Sequence, residues 1–191
     1  EAERQRMAPL LYLNLRACAA QVPQAARDQL AALALRHRRA AAARSHALGQ
    51  ILQACAAEGI KPVLLKGAAL AHMVYPQPEL RPMRDVDMLV LPEQAARLQA
   101  IAAELGFQPV PEAEFMASDK HFPALAREEG GFHLSLEIHT QLYDSLWRAQ
   151  PAPTEVLLQR ARPFALNGQP AWALGLEDLL GDVYQHMGIE E

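Results

Sequence analysis

The run Asp85-Val86-Asp87-Met88-Leu89-Val90 constrains this chain more than any other segment. Its aliphatic residues suit a buried strand, yet it opens on two acids separated by one residue. Side chains at i and i+2 of a strand share a face, so Asp85 and Asp87 point the same way while Val86, Met88 and Val90 enter the opposite layer. Two carboxylates held a few ångströms apart repel each other unless a cation lies between them. The alternative is an exposed edge strand whose acids are merely solvated. Asp is poorly suited to strands, and two on one face of an otherwise apolar strand favour the cation site. On that reading Asp87→Asn relieves repulsion, and the metal-free protein should melt no lower than before.

A second strand sharpens the case. In Phe132–Thr140, Leu134, Leu136 and Ile138 occupy one face, and His133, Ser135, Glu137 and His139 the other. A solvated face explains that pattern in isolation. Beside an Asp pair, Glu137 completes the oxygen-rich triad that a hard divalent cation takes. The histidines raise zinc as a rival, but their i, i+2, i+4 placement along a strand lacks a zinc-ligand spacing, and Mg²⁺ is the expected metal. His139 reads either as support behind the acids or as a buried structural histidine. The third element, Leu64-Leu65-Lys66-Gly67-Ala68-Ala69-Leu70, passes from a strand through Gly into a helix. Such a turn aims backbone N–H groups and the positive helix end at a phosphate, and Lys66 adds a point charge. An ordinary α/β turn with a lysine snorkelling to solvent is the other reading.

Around these motifs the chain reads as α+β. Residues 4–57 are helical nearly throughout, punctuated by Pro23, and Glu58-Gly59 closes the second helix. This predicts an N-terminal helical segment, residues 1–58, packing on a core that begins at 59 and runs into a C-terminal helical region by 191. Within 59–191 the expected elements are a strand at 62–65, a helix at 68–75, the Asp85–Val90 strand, and a helix at 92–105 stopped by Gly106. Strands at 121–127 and 132–140 flank a four-residue loop, Glu128-Glu129-Gly130-Gly131. A helix at 154–162, a hairpin about Asn167-Gly168 and a helix at 176–187 complete the expectation.

Read in order, Gly59-Ile60, Leu64 through Leu70, Tyr75-Pro76, Leu80-Arg81-Pro82, Asp85 through Val90, Gly106-Phe107 and Leu136-Glu137-Ile138-His139 resemble the DNA polymerase β-like nucleotidyltransferase superfamily. More narrowly, they are similar to a bacterial group of uncharacterised nucleotidyltransferases. The resemblance covers most of the chain and implies a small mixed-sheet polymerase β-like core. It implies two Mg²⁺ ions held by Asp85, Asp87 and Glu137, with an NTP as substrate and a hydroxyl acceptor. Glu137 would stand nearest the acceptor. Lys66, Gly67 and Ala68 would meet the nucleotide phosphates, and Arg81 and Arg84 a phosphate or the acceptor. Two departures bear on phosphate binding: Ala68 stands where the superfamily often has Ser or Gly, and the stretch from Gly67 to Asp85 is long.

Bulk properties narrow the partners. The net charge of −4 argues against a broadly basic surface for nucleic acid, and Trp147 and Trp172 lack the interleaved basic run of a stacking platform. No apolar run approaches the roughly 20 residues of a membrane span. Cys18 and Cys55 lack metal-ligand spacing, which suits a reducing, cytoplasmic setting. The chain starts at Glu1 and stops in what reads as a continuing helix, as a trimmed polypeptide would. The acceptor stays open among a small molecule, tRNA and protein. Two other readings remain: a non-catalytic nucleotide-binding or regulatory protein of the same fold, and a toxin-type transferase acting on tRNA or protein.

Overall fold

The computed structural model describes residues 7–18, 21–110, 122–142 and 152–186. The expected helical residues 4–6 and 19–20, and His121, Trp147 and Met187, lie outside them. Helix α1 (Ala8–Ala17) precedes the long helix α2 (Gln24–Ala57), which begins directly after Pro23. Strand β1 (Val63–Leu64) leads into α3 (Lys66–Met73), a 3₁₀ turn (Pro78–Leu80), β2 (Asp85–Leu89) and α4 (Pro92–Glu104). Then come β3 (Gln108–Pro109), β4 (Leu125–Glu129), β5 (Phe132–His139), α5 (Thr154–Arg160), β6 (Arg162–Leu166), β7 (Gln169–Ala173) and α6 (Leu176–His186). Among the described residues these strands form one seven-stranded mixed sheet in the order β3-β4-β5-β2-β1-β7-β6. The β2–β5 and β1–β7 pairs are parallel and the other pairs antiparallel.

Two helix ends show how local sequence sets the chain path. After α2, Gly59 is left-handed (φ +70), its N–H donates to the Ala56 carbonyl at 3.2 Å, and the Ile60 N–H donates to Cys55 at 2.9 Å. After α4, Gly106 (φ +88) and Phe107 repeat the pattern on Ala103 at 2.9 Å and Ala102 at 3.0 Å. Both are Schellman closures, in which a glycine takes the left-handed residue and an apolar residue follows. Ile60 and Phe107 are both buried. The first closure turns the chain into β1; the second turns it into the short edge strand β3, which the sequence pattern did not announce.

The core lies chiefly on the face carrying Val86, Leu134 and Leu136, against which Ala47, Leu48 and Ile51 of α2 pack. The carboxyl-terminal half of α2 therefore shares the main hydrophobic cluster with the sheet. Hairpin geometry differs from expectation. The β4–β5 connection is a two-residue turn, Gly130-Gly131 with φ +58 and +79, and Glu128 and Glu129 are ladder residues paired with His133 and Phe132. Two positive-φ residues match the right-handed twist of the flanking strands, so the shorter loop wins. Helix α3 also starts at Lys66 rather than Ala68. Among the described residues, no helix is long and apolar enough to cross a membrane.

Because Ile51 is 2% exposed within that shared cluster, Ile51→Ala is expected to cost about 2–5 kcal/mol. Urea unfolding followed by circular dichroism and by tryptophan fluorescence should shift as one transition. Two separated transitions would mean that the helical segment folds independently of the sheet.

Candidate active site

Asp85, Asp87 and Glu137 share one face because β2 and β5 run parallel and in register. Asp85 lies opposite Ser135, Asp87 opposite Glu137, and Leu89 opposite His139. Burial deepens along this face. Asp85 is half-buried, Asp87 is 3% exposed, and Leu89 is fully buried. On β5, the Glu137 side chain keeps 28% of its surface while His139 keeps 2%. The ligand atoms of Asp87, Glu137 and His139 lie within 4.8 Å of one another, a group that could hold a metal ion. Asp85 sits one step toward the open end of the sheet, outside that tight group.

Asp87 is the electrostatic centre. Its Oδ1 accepts from the Lys66 Nζ at 3.0 Å and from the His139 Nε2 at 2.9 Å. Burial opposes its ionisation, but the hydrogen bonds and charges of His139 and Lys66 win and hold the carboxyl down at about 2. His139 moves the other way. Burial disfavours its charged form, yet its bonds to Asp87 and Glu137 raise its pKa, and its Nε2 lies in hydrogen-bond contact with Asp87. Asp85 has no such help. Burial, then the charges of Asp87 and Glu137, push its carboxyl above the usual range.

The start of α3 is built differently from a glycine-led phosphate turn. The left-handed residue is Lys66 (φ +43), not Gly67. A Cβ at Gly67 would meet only the Met83 Cβ, at 3.5 Å, an ordinary contact. The Lys66 side chain turns onto Asp87 and keeps only 16% of its surface. Its N–H donates to Asp182 Oδ2 at 3.2 Å. Gly67 and Ala68 carry the next N–H groups, which a helix start leaves without intrahelical acceptors. Arg81 folds back to donate to the Pro82 carbonyl at 3.1 Å, whereas Arg84 is exposed beside Asp85 and lines a neighbouring cleft.

Asp182 was missed from sequence. It sits on α6 three residues after Leu179, and both are buried. An acid on the apolar stripe of an amphipathic helix was the available signal. Burial pushes its carboxyl up to about 6, with Asp87 adding to the rise and Lys66 opposing it.

A mixed sheet carrying clustered acids on one face of parallel neighbours, next to a strand-to-helix turn, is the frame of a nucleotidyltransferase. Residues 1–190 match the family described as "Uncharacterised nucleotidyltransferase", and the chain belongs to it. Solved structures agree on the fold. ANT(2")-Ia in complex with adenylyl-2"-tobramycin is 18% identical, with a TM-score of 0.51 over 75% of this chain and 76% of that one. A Thermotoga maritima protein solved as a candidate nucleotidyltransferase is 19% identical, with a TM-score of 0.50 over 74% and 82%. An antigenic nucleotidyltransferase-like protein from Paracoccidioides brasiliensis is 18% identical, with a TM-score of 0.51 over 74% and 64%. No curated protein matches the chain.

The raised Asp182 pKa has a defined stability signature. The folded protein keeps a proton between about pH 4 and 6 that the unfolded chain has released, so Asp182 makes stability fall as pH rises through that window. The full penalty, about 2–3 kcal/mol, stands above pH 6. Asp182→Asn keeps an acceptor for the Lys66 N–H and should raise the melting temperature at pH 7.5 but not at pH 4. Equal effects at the two pH values would show that Asp182 is ionised normally in the fold.

Proposed function

We propose that the protein transfers a nucleoside monophosphate from an NTP to a hydroxyl acceptor, with Asp85, Asp87 and Glu137 holding Mg²⁺. The observation that carries this reading is the in-register pairing of Asp87 with Glu137 beside Asp85 on one sheet face. The donor set suits the ion. Three carboxylates share one sheet face, and burial followed by the charges of Asp87 and Glu137 raises the pKa of Asp85, a rise that a bound cation would oppose. Oxygen donors of this kind suit Mg²⁺, and in the family resemblance two such ions accompany the NTP. When bound, the metal supplies charge neutralisation at the phosphates and at the reacting oxygens.

The protein's own groups do the rest. The acceptor oxygen bonds to the α-phosphorus, the bond from that phosphorus to the oxygen bridging toward the β-phosphate breaks, and pyrophosphate leaves with that electron pair. Glu137, the most exposed member of its cluster, takes the acceptor proton. His139 fixes the orientation of the Asp87 carboxylate from behind. Lys66 neutralises Asp87 before substrate arrives, then turns its ammonium to the phosphates, which also meet the N–H groups of Gly67 and Ala68. Arg84 stands on the acceptor side. The adenylyl-tobramycin bound by one solved structure of this fold favours a small-molecule acceptor.

The test is to incubate the protein with Mg²⁺, each α-labelled NTP and a cell extract, then follow label onto RNA, protein or small molecules. Asp87→Asn should abolish transfer. It should also destabilise the metal-free protein by about 1–3 kcal/mol near neutral pH, which reverses the expectation from sequence. The repulsion anticipated there is outweighed by the cations that Asp87 neutralises. Because the folded pKa is depressed, that contribution is present above about pH 4 and lost as pH falls toward 2. An active, undiminished Asn variant would remove Asp87 from the site.

Lys66→Met separates the two roles of the lysine. Without NTP, Mn²⁺ binding measured by water relaxation should tighten, because the ammonium no longer competes for Asp87. Binding of a non-hydrolysable NTP should weaken by roughly 1.5–3 kcal/mol, the loss of one charge-assisted hydrogen bond. Unchanged nucleotide affinity would confine Lys66 to pairing with Asp87.

A further inference from the structure

A cleft of about 870 Å³ opens between the middle of α2, the Pro82–Arg84 approach to β2 and the start of β5. Its charge is unlike that of the whole chain. Arg36, Arg44 and Arg84 line it together with His37 and His133, and among the described residues the lining carries one carboxylate, Glu128. That carboxylate is bonded to His133 Nδ1 at 2.9 Å. Three guanidinium groups in one concavity, on a chain of net charge −4, concentrate positive potential where low-dielectric walls focus it. On α2, Arg36, Ala40 and Arg44 recur every four residues and so form one stripe facing the cleft. The cleft also adjoins the acids. Arg84 immediately precedes Asp85, and Ser135, on the cleft wall, is the cross-strand partner of Asp85. Arg44 donates to the Met83 carbonyl at 3.0 Å and so braces the approach to β2.

We propose that this cleft is the acceptor site, and that the acceptor is a small molecule carrying a phosphate or carboxylate group besides its reacting hydroxyl. The inference deepens the nucleotidyl-transfer reading and rests on it. In the proposed reading the nucleotide phosphates meet Lys66 and the start of α3, neither of which lines the cleft, so the positive potential of the cleft acts on a different anion. The volume suits a ligand of metabolite or drug size. A nucleic acid would need a basic surface beyond this concavity, which the net charge of the chain does not favour.

The experiment is calorimetry with Mg²⁺ and the α,β-methylene analogue of each NTP in turn, followed, at saturation, by four hexoses of differing charge. Glucose 6-phosphate and glucuronate are expected to bind at least tenfold more tightly than glucose, and glucosamine no more tightly than glucose. The phosphate and carboxylate arms tell the two anions apart. Raising the salt should erode the preference, and Arg36→Gln and Arg84→Gln should each reduce it three- to tenfold, with circular dichroism confirming the fold. No preference for anions, a preference untouched by both variants, or binding of tRNA in place of the hexose anions would overturn the inference. The nucleotide titration stands apart. If no analogue binds, the nucleotidyl-transfer reading fails; if one binds and the anion preference is missing, only the cleft assignment fails.

Discussion

A carboxylate sealed in the middle of a sheet must be compensated or it would cost several kcal/mol, and much of this structure follows from compensating Asp87. Strand β5 supplies His139, the start of α3 supplies Lys66, and α6 supplies Asp182 to tie down the Lys66 backbone. A left-handed lysine costs on the order of 1–3 kcal/mol, and it persists because Asp87 of β2 holds its ammonium and Asp182 of α6 its backbone N–H. The arrangement also leaves the charges unequal. Asp87 is satisfied, Asp85 is not, and Asp182 is half-way to being neutral near pH 6. A fold optimised only for stability would remove two of these acids, so their retention fits a site that expects a further cation.

What the sequence made legible was whatever depends on strand parity or helix punctuation. Alternation placed Asp85 with Asp87 and Glu137 with His139, and the parallel register then joined the two faces. The Gly59 and Gly106 helix ends were readable because their closures need only local residues. Long-range choices were not readable. The direction of the Lys66 side chain depends on a backbone angle and on Asp182, more than a hundred residues away in the chain. His139 was weighed as support or as structure, and its bond to Asp87 makes it both: buried at 2% exposure and hydrogen-bonded to the central acid. Strand β3 is two residues long, too short for any periodicity, and exists because Phe107 is pulled into the core beside β4.

Helix α2 serves two purposes along its length. Of its later residues, Ala47, Leu48, Ile51, Leu52 and Cys55 are buried in the sheet's hydrophobic cluster. The turns before them place Arg36 and Arg44 on the wall of the cleft. One rigid element thus carries both the packing that fixes its position and the charges that use it, so the cleft geometry inherits the precision of the core.

The parallel register of β2 and β5 carries a different kind of consequence, one about how such a gene can vary. Chain length between the two strands is free to drift, because nothing in the pairing measures it. Within Phe132–His139, by contrast, inserting or deleting a single codon before Glu137 would turn that glutamate and His139 to the apolar face and bring leucines to meet Asp87. Length variation in descendants of this sequence should therefore collect in the connections, with the eight residues of β5 held at constant count.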